Sequence, residues 1–477
     1  MKRYIWICVL LSGCMVGPDY KRPDAPISPE FKEIDGWTIA RPADDMDKGA
    51  WWSVYQDPEL DRLERMVEVS NQNVKVAEAQ YRNATALVAQ ARAGLFPVVA
   101  LTPAVTRGAG RSGGATSGGG ATATTYSLSG TVAWDLDVWG RIRRQVEANA
   151  AAAQVSAADL ANAKLSAQAT LAIDYFDLRA EDALAQLLQE TVDNDRRALS
   201  ITQNQYRAGT SSSIDYVTAL AQLQTVQAQL VAVGIQRQQY EHAIAVLTGH
   251  APAELAIAPA PLATEVPVLP PGLPAQLLQR RPDIAAAERA MQQKNALIGV
   301  QIAGYYPAIS LSALGEYAGN PLSKLFSEAN RIWSLGATAT EAAFNGGLTA
   351  ANVSAAHATY DAAVATYRQT VLTGLQQVED ALSDLRILEA QAKAQAIAVA
   401  STAKAVSATM NAYRAGTIPY TTVLTEQTQL LANRQTALAI QQSRLVASVA
   451  LIQALGGGWM AADLPDGRGR DPAVPLP

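Results

Sequence analysis

Few residues in this chain have the types and spacing that chemistry needs. The histidines His242, His250 and His357 stand in no metal-ligand spacing with cysteine or carboxylate, and the methionines beyond the N-terminal segment (Met46, Met66, Met291, Met410 and Met460) are too scattered for a metal relay. The run AGTSSS at 208–213 has the look of a nucleophile or phosphate loop. It lacks the preceding strand and the partner residues such a loop requires, and a turn between two helices explains it better. No enzyme activity, metal or cofactor is therefore expected. The net charge of −5, without a basic patch or tail, argues against a nucleic-acid partner.

The remaining reactive groups are the thiols of Cys8 and Cys14. Lys2 and Arg3 precede an apolar run at 4–11, and Leu11-Ser12-Gly13 leads into Cys14. This resembles a bacterial lipoprotein signal, with residues 1–13 removed and the Cys14 thiol carrying diacylglycerol, the amine an acyl chain such as palmitate. The alternative is a structural apolar N-terminus; the small residues before Cys14 favour the signal. Processing takes the net charge from −5 to −7 and removes Cys8, so no intrachain disulfide is expected. Met15 stands where an aspartate would retain a lipoprotein at the inner membrane, which favours the outer membrane. The only covalent group expected is this lipid.

Among the elements that carry these residues, YRAG occurs twice, at Tyr206 and at Tyr413. Tyr206 and Tyr413 are 207 residues apart, as are Gly249 and Gly456; Trp139-Gly140 faces Asn345-Gly346 at 206, and Phe96-Pro97 faces Tyr306-Pro307 at 210. Matching landmarks at a nearly constant offset predict two copies of one structural unit. Residues 14–57, rich in proline and charge, read as an extended tether. The first repeat spans 58–250: a helix from 58 to about 93, a β-hairpin at 95–138, a long helix at 140–208 and a helix at 213–247. A proline-rich connector follows at 251–274. The second repeat spans 275–459, with a helix, a hairpin at 307–344, a long helix at 346–415 and a helix at 419–455; 460–477 is a tail.

The strands are predicted from a change of period. Within 124–138, Tyr126, Leu128, Val132, Trp134, Leu136 and Val138 share one face, while Ser127, Ser129, Thr131, Asp135 and Asp137 share the other. Similar strands are expected at 95–106, 307–317 and 332–344, each about ten residues, the length of a tilted membrane-spanning strand. The glycine-rich stretch 108–124 reads as a long outward loop. Four strands close no barrel, and an open edge in lipid leaves backbone groups unpaired, so an oligomer is expected. Three copies give twelve strands and a lumen lined by Ser127, Ser129, Thr131, Asp135, Thr338 and Thr340. At the turns, Gly209 and Gly416 suit left-handed helix ends, Ser212 with Asp215 has capping-box spacing, and Pro419 suits a first helical position.

Cys14 after LSG, WWSVYQDPEL, WDLDVWGRIRR, YRAGTSS, RRPDIAAAE, YYPAISL and ALGGGW, in this order over nearly the whole chain, resemble the outer-membrane factor family, the TolC-like group, in its OprM/NodT-type lipoprotein branch. The resemblance implies a mixed α/β, mostly α membrane protein: a homotrimeric channel with a 12-stranded β-barrel across the outer membrane, continued by a 12-helix α-barrel in the periplasm. It implies a passive exit duct for small molecules such as drugs, conferring multidrug resistance, with a periplasmic adaptor and an inner-membrane transporter, of the RND type, as partners. A type I protein-secretion conduit shares this fold, and a structural envelope coiled coil or adhesin would explain the helices but not the paired strands. The resemblance further implies a periplasmic gate. Asp215, six residues after Gly209, matches the family's first-turn aspartate and Tyr413 its partner; Ile418 replaces the arginine expected two residues after Gly416. Thr422 and Thr425 replace pore-facing aspartates, leaving one Asp215–Tyr413 hydrogen bond and no acidic constriction there. Arg207, Gly209, Thr210, Arg414, Gly416 and Thr417 are the expected adaptor-docking residues.

Overall fold

The computed structural model describes residues 15–28, 30–33, 50–110, 121–267 and 277–465. The signal segment, Cys14 and the end of the tail lie outside them. The described chain is mostly helical. Asp57 opens α1 (Pro58–Ser70) as its N-cap, accepting from the Glu59 and Leu60 amides, with Pro58 in the first turn where no amide hydrogen is needed. The helix expected from 58 to about 93 is in fact two, α1 and α2 (Gln72–Ala93), because Asn71 competes for the backbone. Its side chain accepts from the Val74 amide at 3.1 Å and donates to the Leu247 carbonyl at 2.8 Å, capping one helix and satisfying the end of another.

The long helices are α3 (Arg141–Arg207) and α6 (Leu348–Arg414), each 67 residues, which at a rise of about 1.5 Å per residue is on the order of 100 Å. Each turns back into a helix of 35 residues, α4 (Ser213–Leu247) and α7 (Tyr420–Ala454), and α5 (Pro282–Ile302) lies against α3 and α6. Packing of α3 on both α4 and α7 joins the two hairpins side by side. Pro419 is the N-cap of α7 rather than its first residue, with an extended ψ of 155°.

Between the helices lies one antiparallel four-stranded sheet in the order β1 (Val98–Gly110), β2 (Ala121–Leu136), β3 (Ala308–Gly319), β4 (Arg331–Thr340). Register keeps like with like. Val105 and Pro103 oppose Tyr126 and Leu128, Trp134 opposes Leu311, and Ala313 opposes Leu335, all on one face; Ser129 opposes Glu316 and Ser310 opposes Thr338 on the other. Strand extends into both ends of the glycine-rich stretch, so only residues 111–120 of that expected loop lie outside the description. β2 stops at Leu136, and Asp137 leaves the sheet's polar face to accept from the Ile142 and Arg143 amides. A carboxylate at a helix N-terminus gains more from those orphan donors than from a strand position.

The core sits midway along the helices around Trp51, Trp52, Leu60, Tyr175, Phe176, Tyr367, Leu382 and Leu445. Part of the expected tether is therefore core, since both tryptophans are buried. The proline-rich stretches are also fastened down. Arg22 donates to the Tyr367 hydroxyl at 2.9 Å and the Lys32 and Glu33 amides donate to Glu379, while Arg237 and Arg179 clamp the carbonyls of Ile257 and Ala258. Pro-rich backbone makes few bonds to itself and leaves its carbonyls for side chains to claim.

On α1, Glu64 is fully buried and neither carboxylate oxygen has a hydrogen-bond partner. Burial pushes its pKa up to about 9. The folded state thus holds a proton that the unfolded chain releases near 4.5, so stability is lost as pH rises from about 4.5 towards about 9. Glu64→Gln should remove this loss and raise the unfolding midpoint by several degrees at mildly alkaline pH, with little change in acid. Thermal unfolding by circular dichroism checks it: equal midpoints at both pH values would contradict the account.

Candidate functional site at the paired helix turns

Both long helices end in the same backbone device. Gly209 and Gly416 have φ of 71° and 73°, a left-handed conformation costly for other residues. At the first turn the Gly209 amide donates to Tyr206 and the Thr210 amide to the Gln205 carbonyl; at the second Gly416 donates to Tyr413 and Thr417 to Ala412. These two-bond closures are Schellman motifs, reinforced by the Thr210 and Thr417 hydroxyls on the same carbonyls at 3.1 and 2.9 Å. Arg207, Gly209, Thr210, Arg414, Gly416 and Thr417 are all exposed.

Beyond the glycines the turns diverge. In the first, Ser212 accepts from the Ile214 amide as N-cap, but Asp215 does not close a capping box. Its carboxylate accepts from the Ser211 hydroxyl at 2.6 Å. Tyr206 stacks on Tyr216 with centroids 6.2 Å apart, and remains 48% exposed. In the second, Tyr413 and Tyr420 are buried with Val423 against Ala198 and Ala219 of the first hairpin, and Ile418 packs on this cluster. An apolar residue here seats one hairpin on the other where a charged one would have to reach solvent.

The expected Asp215–Tyr413 hydrogen bond is replaced: the Tyr413 hydroxyl donates to Gln205 Oε1 at 2.5 Å. The two groups remain within electrostatic reach. Burial first, and then the Asp215 charge, hold the Tyr413 pKa above its ordinary value. Thr422 and Thr425 are exposed on α7, and the Thr425 hydroxyl turns back onto the Thr421 carbonyl at 3.0 Å. Gln205 and Ser211 were not singled out from the sequence; neither is distinctive until the fold sets them beside Tyr413 and Asp215.

At the opposite end, by the sheet, the residues following Cys14 are held tightly. The Val16 amide donates to the Trp139 carbonyl at 3.1 Å, and Arg144, 1% exposed, donates to the carbonyls of Val16 and Gly17 and to Asp19. Trp139 stacks on Tyr306 with centroids 4.8 Å apart. Among the described residues no His, Cys, Asp and Glu cluster could hold a metal ion, and no helix is long and apolar enough to cross a membrane.

Residues 65–250 and 273–457 match the family described as Outer membrane efflux protein. The chain is 28% identical over 327 residues to the probable efflux pump outer membrane protein TtgC of Pseudomonas putida, covering 68% of each. Its structure is similar to that of the outer-membrane channel OprN, with a TM-score of 0.86 and 30% identity over 94% of this chain and 100% of the other. It is also similar to CusC, with a TM-score of 0.83 and 25% identity over 93% of this chain and 100% of the other.

Loss of the hydroxyl in Tyr413→Phe should free the second turn from Gln205 at a cost of about 1 kcal/mol. Trypsin cleavage after the exposed Arg207 and Arg414 should quicken by roughly fivefold, as follows from that energy when cleavage tracks local opening. An unchanged rate would remove the bond from the account.

Proposed function

The chain belongs to the outer membrane efflux protein family, and from that premise we propose that it is the trimeric exit duct of a tripartite pump, carrying small molecules passively from the periplasmic side to the exterior. The observation that carries this reading is the sheet. β1 and β4 are its edges, they run in opposite directions, and one face carries an apolar band across all four strands, with Arg107, Thr124 and Arg331 at its far end. Copies set side by side can continue an antiparallel ladder, and three of them close a barrel of twelve strands with a polar interior. The helices below the sheet then continue the pore as a tube. Equal lengths of α3 and α6, and of α4 and α7, support duplication of one unit.

Lipid on Cys14 is supported by the docking of Met15 to Asp19 at the foot of the sheet, beside the stacked Trp139 and Tyr306, as an anchor in the inner leaflet requires. A periplasmic adaptor meets the exposed turn residues Arg207, Gly209, Thr210, Arg414, Gly416 and Thr417, with an RND-type transporter beyond it. Asp215, Tyr413, Thr422 and Thr425 form the gate, and the duct does no chemistry of its own. With Ile418 in place of a cation, closure rests on apolar packing and on the Ser211 and Gln205 hydrogen bonds rather than on salt bridges.

Single-channel recording in planar bilayers tests this. Asp215→Ala should raise mean conductance by freeing Ser211 and loosening the first turn. Thr422→Asp or Thr425→Asp should increase cation preference by placing carboxylates in the lumen. A protein that forms no pores would overturn the duct; pores with unaltered selectivity in both threonine variants would remove those residues from the gate.

A further inference from the structure

Below the turns, the seam between the two hairpins contains an unmatched polar pair. Asp195 on α3 is 3% exposed and its Oδ2 has no hydrogen-bond partner; Oε1 of Gln427 on α7 likewise has none. Both line a recess of about 390 Å³ between α3, α6 and α7, shared with Arg197, Asn411, Arg414 and Arg434. Each acceptor lacks a donor, while three guanidinium groups stand around the recess that both residues line. A carboxylate so placed is satisfied in one of two ways, by taking a proton or by drawing a cation and water to itself.

We propose that Asp195 is a proton-operated latch: neutral, it leaves the α3–α6–α7 seam packed; ionised, it draws water and an arginine of the recess inward and loosens the second hairpin from the first. The charged and titratable groups around it are Arg197 on its own helix, Arg414 from α6, and Tyr420 and Arg434 from α7, with Tyr413 of α6 reaching it through Tyr420. From α4, Asp215 acts on the same two tyrosines. Tyr420, 1% exposed, feels the Asp195 charge, so ionisation is sensed within the apolar cluster that seats the hairpins on one another.

Burial supports the assignment, pushing the Asp195 pKa up to about 6 from 3.8. The packed seam therefore holds its proton over a range where an opened, solvated Asp195 has lost it. Seam stability is full in acid, falls as pH rises between about 4 and about 6, and is level above. The separation corresponds to roughly a hundredfold rise in the ratio of open to packed seam.

The latch rests on the duct reading only for its effect on flow, and two measurements on the whole protein in detergent or bilayers separate them. Hydrogen exchange of the amides around Ala198 and residues 420–423 compares wild type with Asp195→Asn, an isosteric change that keeps the fold, at matched pH. Both should be equally protected near pH 3, and near pH 7 wild type should be less protected by up to about a hundredfold. An equal ratio at the two pH values overturns the latch. In bilayers, wild-type open probability should fall on acidification and Asp195→Asn should stay low throughout. A pH step retained in the variant overturns the latch too, whereas absence of pores with the exchange difference intact overturns the duct alone.

Discussion

The backbone groups along the outer edges of β1 and β4 govern the rest of this molecule. A four-stranded sheet with an apolar band across one face can lie against lipid only if no amide or carbonyl at its edges is left without a partner, since each such group costs several kcal/mol in hydrocarbon. Nothing within the described chain pairs those edges. Because β1 and β4 run in opposite directions, the edge of another copy of the same chain can continue the antiparallel ladder, as the proposed trimer requires. The requirement propagates downward. In the proposed closed ring, helices that emerge from adjacent strands form a ring as well, and the alanine-rich α3 and α6 suit that duty because small side chains let long helices run close together.

At the far end the constraint is different. The two turns share a backbone closure and then use it for different purposes. The first presents Tyr206, Tyr216 and Asp215 on its own surface, and the second turns Tyr413, Tyr420 and Ile418 inward as an apolar foot. Where the hairpins meet, the half-buried Gln205 accepts one short hydrogen bond and the buried Asp195 leaves Oδ2 without a partner. An end held by packing and a few hydrogen bonds fits the opening proposed for this mouth.

The features legible in the sequence were those written in local periods and local turn chemistry. Strand alternation between Tyr126 and Leu136, the left-handed glycines Gly209 and Gly416, and the N-cap Asp57 all follow from near neighbours along the chain. Features that depend on distant groups were not legible. Asn71 divides a helix because Leu247 offers its carbonyl, Asp137 leaves the sheet because α3 offers its amides, and Arg144 is buried because the segment after Cys14 brings it three acceptors. The tether misled for the same reason: proline and charge spell extension, but extension along a groove that Tyr367 and Glu379 line is as much a packed state as a helix. At the proposed gate the hydrogen bonds were not legible, because Tyr413 lies between two acceptors and only the fold chooses Gln205.

Closure of the β1 and β4 edges by identical copies is the central claim. Native mass spectrometry of the protein released from membranes in mild detergent measures it. A single species of three chains is the predicted result, with no stable particle of one chain; a monomer or dimer that persists as the folded form would leave the β1 and β4 edges open and contradict it.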